Sequence, residues 1–193
     1  MKRHGHNKRM LKWGLLLSTL IIILYVLAVK GIGITHHATN NDYGWNLMLV
    51  NHENYIPHNY KVELTELSNG EKVDSRIYPD LQDMFDDARV QGYGLFVAAG
   101  YRTTKKQQQL MDEKIVAYKN EGYSSSEAKR LAEQWVAIPG TSEHQMGIAV
   151  DINADKTINS SDAVYTWLAE NAHKYGFIKR YPSDKTDITG VIN

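Results

Sequence analysis

In Thr141–Asp151, TSEHQMGIAVD, a histidine, His144, is followed three residues on by Gly147 and seven residues on by Asp151. In a helix that spacing brings both side chains to one face after two turns. Gly147 and the β-branched Ile148, Val150 and Ile152 oppose a continuous helix, so the stretch reads as a loop histidine, a bend and a strand carrying the aspartate. On that strand, GIAVDIN, Ile148, Val150 and Ile152 share one face, and Ala149, Asp151 and Asn153 the other. A histidine nitrogen beside a carboxylate oxygen suits Zn²⁺, and a catalytic zinc takes three protein ligands and leaves a fourth position for water. On spacing alone, a surface histidine followed by a strand-end aspartate reads equally well.

Outward from this stretch, helices alternate with short strands. KVELTEL alternates Val62 and Leu64 as a half-buried strand, and SNGEK turns the chain. YPDLQDMFDDARVQG has proline at the helix start, Leu81, Met84, Phe85 and Ala88 at helical spacing, and Gly92 as the stop; Asp83, Asp86 and Asp87 form its wet face. GLFVAAGYR is a buried strand ending at Gly100. A second helix opens on a threonine cap, carries Leu110, Met111, Ile115 and Tyr118, and closes at Gly122. Ser124 and Glu127 form a capping-box pattern for a third helix with Ala128, Leu131, Ala132 and Trp135 facing inward. Ser160 or Ser161 caps a fourth, with Val164, Trp167, Leu168 and Tyr175 as its stripe. Irregular segments interrupt any regular strand–helix–strand series, which makes the class α+β with a small central sheet.

The chain has 193 residues, 42% of them apolar, with 22 basic against 22 acidic side chains: one globular domain plus an appendage, and no basic footprint for nucleic acid. Lys2, Arg3, Lys8, Arg9 and Lys12 crowd the first twelve residues, a basic cytoplasmic tail over 1–12. Residues 13–29, WGLLLSTLIIILYVLAV, carry no charge and as a helix span about 25 Å, slightly short of a bilayer core of about 30 Å. Flanking Lys12 and Lys30 can snorkel, so the expectation is a single-pass anchor in the cell membrane with its N-terminus cytoplasmic and the main domain outside. The alternative is a cleaved signal peptide, with small residues near Ala28 for the cut. Residues 30–45 read as a linker and 46–193 as the domain.

Arg102 follows a buried strand and a tight glycine turn, an address from which side chains project into a cleft. Its fork matches a carboxylate, although taken alone it reads first as a surface ion-pair residue. Ser142 lies two residues before His144 but lacks the Gly-x-Ser-x-Gly elbow, so it reads as a polar contact or turn hydroxyl before a nucleophile. His36, His37, His52 and His58 fall in linker-like sequence, and His173 lies off its helix's apolar stripe; all five read as solvated.

Together AAGYRTTKKQQ, GTSEHQMGIAVDIN and WLAENAHKYGFIKRYPSDKTDITGVIN resemble the VanY-type D-alanyl-D-alanine carboxypeptidases, from about Asn46 to Asn193. The most specific element is Ser-x-His-x-x-Gly-x-Ala-x-Asp over Ser142–Asp151. The resemblance implies the α+β fold shared by DD-peptidases and the Hedgehog signalling domain, with a small central antiparallel sheet and flanking helices. It implies that His144 and Asp151 ligate Zn²⁺ and that Arg102, Gln107 and Ser142 contact the peptide end. The implied substrate is a peptidoglycan stem peptide ending in D-Ala-D-Ala, whose terminal D-alanine is the group vancomycin grips. The family continues past TGVIN with a Glu-Pro-Trp-His segment, which supplies the general base and third ligand. The sequence here stops at Asn193, so the expectation for these residues alone is weak zinc binding, little or no turnover and, as the alternative, a membrane-tethered peptide-binding protein or a non-functional remnant. Glu143 is a poor substitute base, because neighbours along an extended chain point to opposite sides.

Overall fold

The structure, a computed structural model, describes residues 44–181. The expected basic tail, the 13–29 anchor and most of the linker lie outside them, as does the sequence after Tyr181. Among the described residues no helix is long and apolar enough to cross a membrane.

Among the described residues, two antiparallel strand pairs and four α-helices make up the domain. Strands β1 (Leu64–Glu66) and β2 (Lys72–Asp74) pair as a hairpin, with Leu64 opposite Asp74. Helix α1 (Tyr78–Val90) follows, then β3 (Leu95–Ala99), α2 (Thr104–Asn120) and α3 (Ser125–Glu133). A 3-10 turn over Glu143–Met146 leads to β4 (Asp151–Ala154), which pairs antiparallel with β3. Helix α4 (Ser161–Asn171) ends in a second 3-10 turn, Ala172–Tyr175.

Local signals account for the helices. Pro79 sits in the first turn of α1, where its missing N–H costs nothing, and Leu81, Met84 and Ala88 bury one stripe. Thr103 caps α2 by accepting from the Lys106 N–H, the Ser124–Glu127 capping box closes in both directions, and Ser160 caps α4. The main core gathers Val73, Leu81, Met84, Val97, Val164 and Trp167 with their neighbours. A smaller cluster joins Met48 and Val50 to Met146, so part of the stretch after the linker is core.

Three expectations are corrected, and one strand is added to them. The single central sheet is instead two separate two-stranded ladders. β2 was not foreseen, since three residues are too few to show a period and its definition comes from the partner strand. In β1 Leu64 is on the exposed side and Thr65 on the inner one. The strand expected over GIAVDIN is confined to Asp151–Ala154, the residues that find a partner in β3.

Asp74 is fully buried and is held by Arg76 through Nε at 2.9 Å and Nη2 at 2.5 Å, while its Oδ1 also accepts the Arg76 backbone N–H. The guanidinium lies 4.2 Å from the Trp45 ring centroid, tying the entering chain to the hairpin. Burial pushes the Asp74 carboxyl up, but the hydrogen bonds and charge of Arg76 outweigh it and hold it below the usual carboxylate range. A depressed folded pKa stabilises the fold above the ordinary value of about 3.9, and that stability is lost as pH falls through the lower folded value. Denaturant titrations between about pH 6 and pH 3 are therefore expected to show an acid-side loss that Asp74→Asn flattens; because Arg76 is over a third exposed, the substitution should cost about 2 kcal/mol at neutral pH.

Candidate active site

The site starts with a close backbone approach. A Cβ placed on Gly100 would lie 2.2 Å from the Lys72 carbonyl oxygen, so only glycine fits where β3 passes β2. The Tyr101 N–H donates to that same oxygen at 2.6 Å. Between Val97 and Ala99 the ladder slips: Val97 faces Ile152 and Ala99 faces Asp151, leaving Ala98 as the bulged residue. Such bulges re-aim the chain beside functional sites. Here the bulge sets Asp151 opposite the residue preceding Gly100.

The Gly100 carbonyl points at His144 Nδ1, 2.8 Å away. A carbonyl oxygen only accepts, so Nδ1 carries the proton and Nε2 carries the lone pair in the neutral ring. His144 is 5% exposed; its carbonyl accepts the Arg102 N–H at 3.0 Å, and Gly147 ends the 3-10 turn at φ +74°. The loop histidine and the glycine bend stand as expected from the sequence.

His144 Nε2 faces Asp151 Oδ1 at 3.4 Å. A lone pair facing a carboxylate at that distance calls for a cation between or beside them. Two donors bound at roughly 2.0–2.1 Å to one tetrahedral zinc lie roughly 3.3–3.4 Å apart, so the pair fits a shared zinc. The Gly100 carbonyl is then the outer partner that fixes a ligating histidine's tautomer. Among the described residues no group of three His, Cys, Asp or Glu side chains forms.

Arg102 has a partner the sequence did not indicate. Its Nη2 donates to Asp151 Oδ2 at 2.6 Å, so the carboxylate has Oδ1 toward His144 and Oδ2 on the guanidinium. Burial raises the Asp151 carboxyl, but the hydrogen bond and charge that His144 supplies when its ring is protonated, then those of Arg102, prevail and leave it below the usual range. The aspartate therefore stays ionised at neutral pH, as a ligand must.

These residues line a cavity of about 550 Å³ together with Ser142, Gln107, Trp135 and Tyr181. Ser142 is 2% exposed and makes no side-chain cap to the turn it precedes. Gln107, 1% exposed, donates Nε2 to the Ala137 carbonyl at 2.8 Å, while its buried Oε1 has no hydrogen-bond partner among the described residues. All five sequence candidates thus meet at one cavity. Trp135, expected to face inward, is instead 46% exposed on the cavity wall. Glu143 sits in the 3-10 turn and not on an extended chain; it is unsuited to act on water for another reason, since Arg180 Nε holds its carboxylate at 2.7 Å. His52, His58 and His173 are exposed, as read.

Residues 70–193 match the family model for VanY, D-alanyl-D-alanine carboxypeptidase. The chain belongs to this family. It is 60% identical over 149 residues to a D-alanyl-D-alanine carboxypeptidase of Enterococcus faecalis (strain ATCC 700802 / V583), an alignment covering 77% of this chain and 56% of that protein. The chain spans about half the length of the curated relatives it matches. Among solved structures it is similar to VanYB in complex with D-alanine-D-alanine, at 60% identity and a TM-score of 0.75, covering 77% of this chain and 82% of that one. It is equally similar to a mutant of the vancomycin-resistance D,D-pentapeptidase VanY in complex with Zn(II), at 60% identity and a TM-score of 0.74, covering 77% and 84%.

Gly100→Ala tests the foundation of the site. It should destabilise the domain by about 3 kcal/mol, the upper range for overpacking against backbone, and remove the ¹⁵N signature of a protonated His144 Nδ1 in whatever remains folded. A folded variant with wild-type stability contradicts the close approach.

Proposed function

We propose that this chain carries the metal- and peptide-facing part of a zinc-dependent D-alanyl-D-alanine carboxypeptidase, which removes the C-terminal D-alanine of peptidoglycan precursors and contributes to vancomycin resistance. The observation that carries this reading is the His144–Asp151 pair, at zinc-ligand separation with its nitrogen lone pair set by Gly100. The similarity to a VanY structure holding Zn(II), and to another holding D-alanine-D-alanine, supports the metal and the substrate.

In this reading His144 and Asp151 hold the zinc. When bound, zinc supplies Lewis-acid polarisation and acidifies water at the site. Arg102 steadies the second oxygen of Asp151, and the rest of its five-donor fork reads the free carboxylate of the peptide. A carboxylate requirement makes the reaction exopeptidic. Ser142 and Gln107 contact the peptide end, and the buried, unpartnered Oε1 of Gln107 suits a peptide N–H. The general base and a third ligand belong, by the resemblance, to a Glu-Pro-Trp-His segment. Residues 13–29 tether the domain outside the cell membrane, where stem peptides are met; their uncharged run and the basic residues ahead of it support this placement.

Two measurements test the proposal. Equilibrium dialysis should give zinc binding that His144→Ala weakens by more than about 10²-fold, since loss of an outer partner alone costs about 10–100-fold. Protein translated from the full reading frame should release D-alanine from peptides ending in D-Ala-D-Ala in a zinc-dependent way, and Arg102→Ala should act mainly on KM. Zinc binding without D-alanine release would remove the carboxypeptidase reading.

A further inference from the structure

The carbonyl that fixes the His144 ring belongs to Gly100, whose missing side chain leaves its backbone torsions freer than its neighbours', so the peptide planes on either side of it have to be held from outside. The plane after it is held by backbone: the Tyr101 N–H donates to the Lys72 carbonyl at 2.6 Å, and in a trans peptide the Gly100 carbonyl then points the opposite way, to His144 Nδ1. The plane before it is held by a side chain, since the Gly100 N–H donates to Glu71 Oε2 at 2.8 Å. No sheet hydrogen bond serves here among the described residues, because β2 and β3 belong to separate ladders.

Asn69 completes the grip. Its Nδ2 donates to the Val97 carbonyl at 2.8 Å, and its Oδ1 accepts the Glu71 N–H at 3.2 Å. Two side chains from the turn between β1 and β2 thus hold the chain on either side of the Ala98 bulge, Asn69 at Val97 and Glu71 at Gly100. Glu71 is half-buried and makes no ion pair among the described residues; Lys72 beside it pairs instead with Glu66 at 3.2 Å. A carboxylate on a backbone N–H forms a charge-assisted hydrogen bond, shorter and stronger than a neutral one, which suits a fixing role.

We infer that Glu71 is a positioning residue for the metal site: it holds the Gly100 N–H, and through the Gly100 carbonyl it keeps the proton on His144 Nδ1 and the lone pair on Nε2. The inference rests on the reading of His144 as a zinc ligand and extends that site to the turn between β1 and β2, whose residues do not line the cavity.

The test uses protein translated from the full reading frame, first free of metal and at a pH where the ring is neutral. Its ¹⁵N spectra report which His144 nitrogen carries the proton; equilibrium dialysis then gives the zinc affinity, and thermal melts the stability. Wild type should show a protonated Nδ1. Glu71→Gln, which keeps an oxygen acceptor, should retain that tautomer and the affinity. Glu71→Leu should populate the tautomer protonated at Nε2 and bind zinc about tenfold more weakly, the low end for an outer partner because Glu71 acts through Gly100. Glu71→Ala is read the same way if the leucine variant does not fold. Val73→Ala, which removes buried packing from β2, is the control: it should lower the melting temperature and leave tautomer and affinity as in wild type. Loss of the Glu71 carboxylate with the wild-type tautomer or zinc affinity kept, or a Val73→Ala protein that shifts both as far, overturns this inference alone. Wild type that binds no zinc overturns the ligand reading, and the tautomer comparison, made without metal, still decides what Glu71 does.

Discussion

The structure depends on one close passage of backbone past backbone, where Gly100 runs against the Lys72 carbonyl with no room for a Cβ. The passage joins the two strand pairs and aims the Gly100 carbonyl at His144. That hydrogen bond selects the ring nitrogen that keeps its lone pair, and the bulge at Ala98 brings Asp151 to meet it. A metal-binding geometry therefore follows from steric permission at one glycine, because tautomer and ring direction are set by the acceptor behind the ring.

Asp151 sits between two partners. His144 Nε2 faces one carboxylate oxygen, and the Arg102 guanidinium donates to the other and favours the ionised acid despite partial burial. The guanidinium proposed to read a peptide carboxylate thus also orients Asp151, a proposed metal ligand. Arginine can serve both because its fork presents several donors in one plane, which a lysine ammonium does not.

Much of the scaffold was legible in the sequence. Pro79, Thr103, the Ser124–Glu127 box and Ser160 each start a helix through a local hydrogen-bond argument, and each stands in the structure. The strands were read less well, because a three-residue strand such as Lys72–Asp74 has no period of its own and exists by virtue of its partner. Trp135 was read as core from its helical spacing, yet it lies beyond the end of α3, where the chain has left the helix and the ring turns to the cavity. All five site candidates converge; the signal for His144 and Asp151 and, more weakly, for Arg102 and Ser142 lay in the residues themselves, whereas that for Gln107 came only from the resemblance to a family.

By itself the sequence determined the types of the candidate ligands, their order and the bend between them, since a histidine, a positive-φ glycine and a strand aspartate are local properties. Only the tertiary structure decided that Nε2 is the nitrogen left to face Asp151, that Arg102 holds Asp151, and that Lys114 and Trp135 share the cavity with both. Each of these depends on groups far apart in the chain, up to 49 positions for Arg102 and Asp151. Their meeting is fixed by the approach at Gly100 and the packing of α2 on α3, and no local pattern encodes it.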